Sequence, residues 1–464
     1  MYLGLCDNGI SITDIARVVE GTLYSKNPED IAFGVSIDSR TISEGDIFFA
    51  IKGENFDGHD FIPAAIKGGA CCIVAERAPE EDIPYILVAD TTRALGLLAR
   101  EYRRRFSTIT VAVTGSVGKT ATKEFIYSVL DRKYKTNKTE GNFNNEIGLP
   151  LTLFKLNITY KAMVVEMGMS ARGEIEKLSA IAEPDIAVIT NIGTSHIENL
   201  GSREAIRDAK LEIINGMKED GILILNGDEP LLRNINTGKI CKKYIGIENP
   251  LCHYNAVNIR KTATGYLFDL DVRNGDYIVK DIETAVRGRH NIYNAMCAVV
   301  CGMLLGIPER EIKEGILGYE PVALRSQVEK HDDCTFILDC YNASPESMEA
   351  AVEILDDVAS ENGGRRVAVL GEMLELGSYS HELHERVGKA YAKGADLLIT
   401  VGENAKYIAH GAKESGMPEE KIASLGYDCP EQAATDIRRL LHKGDTVLFK
   451  ASRRVALENV ARLI

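Results

Sequence analysis

At 464 residues the chain is too long for one ordinary domain, and a soft average of about 150 residues per domain divides it into about three. Hydrophobic residues at 45% and charged residues at 26% give a globular composition with a sizeable core, which excludes a disordered or fibrous chain. Lys and Arg total 54 against 68 for Asp and Glu, a formal charge of −14 and the wrong sign for general attraction to nucleic acid or anionic membrane, so any anionic ligand needs a local site.

Met1 to Ser11 shows neither a basic leader nor an apolar signal core. The longest apolar stretch, Ala295 to Ile307, falls short of the roughly 20 residues that span a bilayer, and the expectation is a cytoplasmic protein with no membrane span. The ten Cys contain no C-x-x-C pair, and Cys71-Cys72 and Cys297/Cys301 sit in apolar runs that suit reduced thiols better than disulfides or zinc. Up to Ser107, short strand-like runs such as Gly45 to Ala50 and Cys71 to Ala75 mix with short helical patterns such as Thr91 to Arg104. The basic run Arg103-Arg104-Arg105 reads as a solvated helix C-terminus, and a first unit, 1–107, ends there.

From Thr108 the pattern turns to strand then helix: Ile109 to Val113, Met163 to Val165, Ile186 to Ile189 and Ile222 to Leu225 are apolar runs suited to parallel strands covered on both faces. Leu251 to Val286 alternates, as in Tyr266 to Val272, and reads as an antiparallel excursion before a helix at about Asn291 to Leu305. After Pro308 and Pro321 the strands resume at Phe336 to Leu338, Val367 to Leu370, Leu397 to Val401 and Thr446 to Phe449. The expected fold is α/β in three domains: a small mixed α/β unit at 1–107, a central P-loop ATPase-like parallel-sheet unit at 108–322 and a Rossmann-like unit at 323–464.

The strongest chemical signal is Thr114-Gly115-Ser116-Val117-Gly118-Lys119-Thr120, a glycine loop between an apolar strand and a helical pattern. Such a loop turns backbone N–H groups toward phosphate, while Lys119 reaches the β/γ-phosphates and Thr120 can hold Mg²⁺. Val113 stands where the general motif has its first Gly. Glu166 and His196 follow strand-like runs of the same sheet, whose ends line the crevice where ligands sit. Alone, Glu166 reads as a solvated loop residue and His196 as a hydrogen-bonded structural one; their shared address favours convergence with Thr120 on metal-bound ATP.

The ordered set Thr114 to Thr120, Glu140 to Thr152, Val165 to Gly168, Pro184 to Glu198, Lys210, Arg289 to Ala295 and Asp339 to Pro345 resembles the Mur ligases over essentially the whole chain. Gly141 to Gly148, with Gly371 to Gly377 and His384, is similar to the subfamily that adds a dipeptide. The resemblance implies an ATP-dependent peptide ligase that joins D-alanyl-D-alanine to UDP-N-acetylmuramoyl-tripeptide through an acyl phosphate, acting as a monomer during peptidoglycan precursor synthesis. It implies that Thr120 and Glu166 hold one Mg²⁺, that His196 holds a second, and that Lys210 is carbamylated and acts as a metal ligand. Asn291, Arg325 and Asp339 are implied to meet the nucleotide, the last two from the third domain. Ser39, within Asp38-Ser39-Arg40, is implied to touch UDP, and Asn142, Asn144, Asn145, Ser170 and Arg172 to contact the UDP-sugar peptide. Departures from the family pattern are Ala121, Cys340, Ser344 and Ala451, the last in a loop expected near the acceptor. The rivals are the ligase adding the third amino acid, disfavoured because no Asp-Asn-Pro-Arg motif is present, a folyl-polyglutamate-type ligase, and a regulatory nucleotide-binding protein with an idle P-loop. The pair His381 and His384 reads as part of a charged, solvated helix rather than a zinc site.

Overall fold

The computed structural model describes residue 5 and residues 9–273, 277–426 and 429–464. Three sheets follow one another along the chain, besides a short antiparallel pair, Ile10–Ser11 with Ile31–Ala32. The first has the order Thr22–Tyr24, Tyr85–Leu87, Cys72–Ala75, Asp46–Phe49, Gly34–Ser36, parallel except for Thr22–Tyr24. The central sheet has nine strands in the order Tyr277–Thr284, Tyr266–Val272, Tyr254–Lys261, Cys241–Gly246, Ile222–Asn226, Ile186–Ile189, Ile109–Thr114, Ala162–Glu166, Thr136–Lys138. All its pairings from Tyr254–Lys261 onward are parallel. The expected antiparallel excursion is therefore an extension of this sheet, because Tyr254–Lys261 pairs in parallel with Cys241–Gly246 before the two antiparallel strands are added.

The apolar runs are continuous because both faces of the sheet are covered. Along Ile109–Thr114, Val111 and Val113 pack with Phe125, Ile126 and Val129 of helix Lys119–Leu130 and with helix His290–Leu304. The intervening Ala112 faces the opposite cluster, with Ile175 and Leu178 of helix Glu174–Ala182 and Ile206 and Ala209 of helix Arg203–Leu211. Helix His290–Leu304 is buried nearly all round, and its Cys297 thiol is pushed up to about 12 by burial, as suits a small hydrophobe. Every described cysteine is free, and among the described residues no helix is long and apolar enough to cross a membrane.

The reading of Arg103-Arg104-Arg105 as a solvated terminus is corrected at Arg103, while Arg104 and Arg105 are exposed. Arg103 is 4% exposed, donating to Thr110 Oγ1 at 2.9 Å and to the Glu183 carbonyl at 3.1 Å, and Arg104 is ion-paired with Glu183. The end of helix Thr91–Arg103 is thus bolted to the central sheet. A buried guanidinium needs these acceptors, and one of them, Glu183, is 80 positions away where no local pattern reveals it.

The third sheet has the order Gln327–His331, Cys334–Leu338, Thr446–Lys450, Arg366–Gly371, Leu397–Val401, Ile422–Leu425, parallel except at its first strand. Helix Pro345–Asn362 starts at a capping box in which Ser344 and Ser347 bond each other's backbone, with Pro345 at the first position. Helices Ser380–Gly394 and Lys406–Glu414 approach so closely that a Cβ on Gly388 would lie 2.0 Å from the Ile408 carbonyl oxygen, and one on Gly411 would lie 2.1 Å from that of Glu385. Gly388→Ala should therefore force the two backbones apart and destabilise the C-terminal unit by about 1–3 kcal/mol. A lowered urea midpoint of that unit's transition checks this; an unchanged midpoint would show that the contact is dispensable.

Candidate functional site

The C-terminal ends of Ile109–Thr114, Ala162–Glu166 and Ile186–Ile189 lie side by side, with Glu166 in register with Val113 and Ile189 with Thr114. Each end contributes to the glycine loop or to its ligands. Gly115 has φ +150°, and a Cβ there would lie 1.9 Å from Thr190 Oγ1; Gly118, at φ +84°, caps helix Lys119–Leu130. The loop is clamped from the neighbouring strand's exit: Val117 N donates to Asn191 Oδ1 at 2.9 Å, and Thr190 Oγ1 donates to the Val117 carbonyl at 2.6 Å. Lys119 Nζ donates to the Gly115 carbonyl at 2.8 Å and to that of Ser116 at 3.4 Å, neutral acceptors for a cationic amine. Burial pushes the Lys119 pKa down and the Arg325 charge adds to this, while Glu166 and Glu375 oppose it.

Glu166 is 3% exposed. Thr120 Oγ1 donates to its Oε2 at 2.9 Å and Asn144 Nδ2 to its Oε1 at 3.0 Å, and among the described residues no Lys or Arg stands within ion-pair distance. A buried carboxylate bonded to a hydroxyl and an amide is a set of hard oxygen donors in want of a cation, and it fits Mg²⁺. Among the described residues no group of three or more His, Cys, Asp and Glu could hold a metal alone. Mg²⁺ does not require one, since it is commonly held by one or two carboxylates with substrate phosphates and water. His381 and His384 make separate contacts. His384 is buried, its Nε2 accepts from Met373 N at 3.0 Å and its Nδ1 lies 2.7 Å from the Ser380 carbonyl, while His381 stacks on Tyr407. The expected solvated helix is in that respect half right: His384 is a core residue.

A cleft of about 1100 Å³ opens between the central and third sheets. Of the residues read from sequence it is lined by Ser116, Val117, Gly118, Lys119 and Thr120 of the loop and by Glu166 and His196 of the strand ends. Asn144, Asn145 and Ser170 border it on one side, and Asn291, Arg325 and Asp339 on the other. Five buried polar atoms of lining residues, Ser116 Oγ, His196 Nδ1, Arg287 Nε, His290 Nδ1 and Arg325 Nε, have no hydrogen-bond partner among the described residues, so the cleft offers unsatisfied polar groups to a ligand. The Arg325 guanidinium lies 4.1 Å from the centre of the Tyr341 ring. Asp339 is fixed on both oxygens, Oδ1 accepting from Ser326 N at 3.2 Å and Oδ2 from the buried Lys450 Nζ at 2.5 Å.

Other sequence-derived residues lie elsewhere. Thr114 is fully buried, its Oγ1 donating to the Met167 carbonyl at 2.9 Å, and it supports the loop from below, with Gly115 shaping the turn above it. Ser39, Asn142 and Arg172 do not line the cleft; Ser39 sits in a turn where Arg40 is paired with Asp38 at 2.7 Å. Lys210, on helix Arg203–Leu211 capped by Ser202, is 2% exposed and has no carboxylate within ion-pair distance among the described residues. The alternative of an ordinary surface lysine is thus removed. Burial, and secondarily the charge of Lys119, drive its pKa well down, toward a neutral amine.

Sequence reasoning missed several residues that shape the site. Asn191 clamps the loop, and Asn294 accepts from Thr122 Oγ1 at 2.9 Å while donating to Asn291 Oδ1 at 2.9 Å. Lys450 fixes Asp339, and Glu346 reaches from helix Pro345–Asn362 to accept from Thr194 Oγ1 at 3.1 Å. Asn294, three residues beyond Asn291 on one helix face, was the one recoverable signal.

Fold and cleft define a three-unit protein whose glycine loop shares a cleft with residues from a second sheet. The chain belongs to the Mur ligase family. It matches the family's catalytic domain over residues 32–103, the Mur ligase middle domain over 113–302 and the glutamate ligase domain over 325–453. It is 39% identical to the Bacillus subtilis UDP-N-acetylmuramoyl-tripeptide–D-alanyl-D-alanine ligase, with 97% of each chain covered. Among solved structures it is similar to MurF from Acinetobacter baumannii, with a TM-score of 0.87 at 29% identity and 98% of each chain covered. It is also similar to MurF ligase from Thermotoga maritima in complex with ADP, with a TM-score of 0.81, 32% identity, and 92% of this chain and 96% of that one covered.

Proposed function

We propose that this protein joins D-alanyl-D-alanine to UDP-N-acetylmuramoyl-tripeptide at the expense of ATP, forming a peptide bond in peptidoglycan precursor synthesis. The observation that carries the reading is the cleft and its support: a clamped phosphate loop and a buried carboxylate without a cation stand at adjacent strand ends, a buried uncompensated lysine lies on helix Arg203–Leu211 within reach of the Lys119 charge, and similarity to dipeptide-adding ligases runs the length of the chain. A regulatory P-loop protein has no use for the last two.

Carboxylate and γ-phosphate are both anions, and bringing them together is the central physical problem. Lys119 and the loop N–H groups take up phosphate charge, and the Asn291–Asn294 pair and Arg325 hold the nucleotide, with Asp339 kept in place by Lys450. Thr120 and Glu166 would hold one Mg²⁺ and His196 with a carbamylated Lys210 a second; such ions neutralise phosphate charge as it moves between oxygens. The tripeptide carboxylate attacks the γ-phosphorus with loss of ADP, giving an acyl phosphate. The dipeptide amine then attacks the acyl carbon, and phosphate leaves with the oxygen that was the carboxylate's. Exclusion of water from the acyl phosphate is the use of a cleft between units.

In this reading Ser39 contacts UDP, Asn142, Asn144, Asn145, Ser170 and Arg172 serve the sugar peptide, and the units divide at 107/108 and 322/323. The protein works as a monomer in the cytoplasm. Carbamylation needs the neutral amine: Lys210 adds CO2, releases a proton and becomes a carbamate with two oxygens.

Phosphate release with UDP-sugar tripeptide, in the presence or absence of D-alanyl-D-alanine, tests the function. Release that depends on the dipeptide is expected. Release at the same rate without it would favour a simple nucleotidase.

A further inference from the structure

His196 and Glu375 come from different units and meet at the edge of the cleft, with Nδ1 2.7 Å from Oε2. Both have left-handed backbones, φ +63° and +64°, which cost a non-glycine residue on the order of 1 kcal/mol or more and persist only where the surroundings impose them. The surroundings do so here. The segment bearing Glu375 is pinned by Leu374 N donating to Ser452 Oγ at 2.9 Å, by Met373 N donating to His384 Nε2 at 3.0 Å and by Tyr379 Oη donating across the units to the Gly201 carbonyl at 3.0 Å. The next positive-φ residue, Gly377, sits so close to the central unit that a Cβ would lie 2.9 Å from Glu198 Cγ.

The Glu375 side chain is 58% exposed, so an ion pair there adds little to stability. The contact is close but off the line of a hydrogen bond from the ring, which leaves Nδ1 without an aligned partner. Strain on both sides of a junction, spent on a contact with little energetic return, points to orientation. A carboxylate beside one ring nitrogen favours the proton on that nitrogen and leaves the lone pair on the other, the usual second partner of a metal-bound histidine.

We propose that Glu375 is a positioning residue for His196: supplied by the C-terminal unit, its carboxylate holds the proton on Nδ1 so that Nε2 is free to bind a divalent cation. Loading of that position is thereby coupled to docking of the C-terminal unit against the loop that carries His196. This rests on the reading of His196 as a metal residue.

The test is Mn²⁺ binding, followed by electron paramagnetic resonance of the free ion, to the full-length protein with a non-hydrolysable ATP analogue. Wild type should bind two ions. Glu375→Ala should weaken the second by about 10- to 100-fold and leave the first unchanged. Glu375→Gln, isosteric and still an acceptor for the ring N–H, should recover most of that loss, and the metal concentration for half-maximal turnover should follow the same order. Two ions bound to Glu375→Ala with wild-type affinity, while His196→Ala loses one, would overturn the positioning role alone. Two ions retained by His196→Ala would overturn the metal reading of His196 and this proposal with it. Equal losses in the alanine and glutamine variants would also refute orientation by an oxygen held beside Nδ1.

Discussion

Lys119→Ala should lower ligation turnover by about two to three orders of magnitude while leaving the fold intact, the loss expected from removing roughly 3 to 4 kcal/mol of transition-state charge stabilisation. The fold survives because the loop does not depend on the amine. Val117 is held on both sides by Thr190 and Asn191, and the conformations of Gly115 and Gly118 are set by their own backbones. What the amine has in the protein alone is two carbonyl contacts, the shorter at 2.8 Å, and these are poor compensation for a cation whose pKa burial already depresses. On the proposed mechanism a phosphate would supply the missing charge, and the group would serve the ligand rather than the fold. Steady-state rates alongside thermal unfolding check both halves. Near-normal turnover would remove Lys119 from the mechanism, and a collapsed melting temperature would make it structural.

Lys210→Ala should be nearly inactive and should regain part of its turnover when acetate or formate is added. The lysine is buried, has no carboxylate partner among the described residues and has a pKa driven well down by burial, which favours the free amine, the form that a carbamate requires. As an ammonium it would repel a nearby metal ion, and as a carbamate it offers the anionic oxygens that Mg²⁺ prefers. A short carboxylate can enter the space alanine leaves and supply similar oxygens. Lys210→Arg should resist rescue, because its side chain fills the space and keeps a fixed positive charge. Full activity of Lys210→Ala without added carboxylate would refute the carbamate.

The parts of this molecule legible in its sequence are those in which local pattern and global address coincide. The fully buried runs at Ile109–Thr114, Ala162–Glu166 and Ile186–Ile189 announce parallel strands, and a residue at the end of such a strand lies at the crevice by geometry alone, so Glu166 and His196 could be placed without a structure. Strands Gln327–His331 and Ile422–Leu425 are not legible because they lie at sheet edges, where partial burial removes the need for an apolar run, and the edge strand Thr136–Lys138 is three residues long and polar throughout. The partners of the site residues were equally hidden. Lys450 reaches Asp339 across 111 positions, and Arg103 reaches Glu183 across 80, so only the assembled fold makes these contacts. Glu375 lies within Gly371 to Gly377, where nothing local says that its turn faces His196. Cys297 and Cys301 were legible as core, because an apolar helix leaves a thiol no other use.

Isotope transfer tests the chemistry at the centre of this reading most directly. If the tripeptide's terminal carboxylate is labelled with ¹⁸O and turned over with ATP and D-alanyl-D-alanine, its attack on the γ-phosphorus and later cleavage at the acyl carbon should place one labelled oxygen in the released phosphate for each peptide bond formed. Phosphate released without label, while the peptide bond is still made, would contradict an acyl phosphate route.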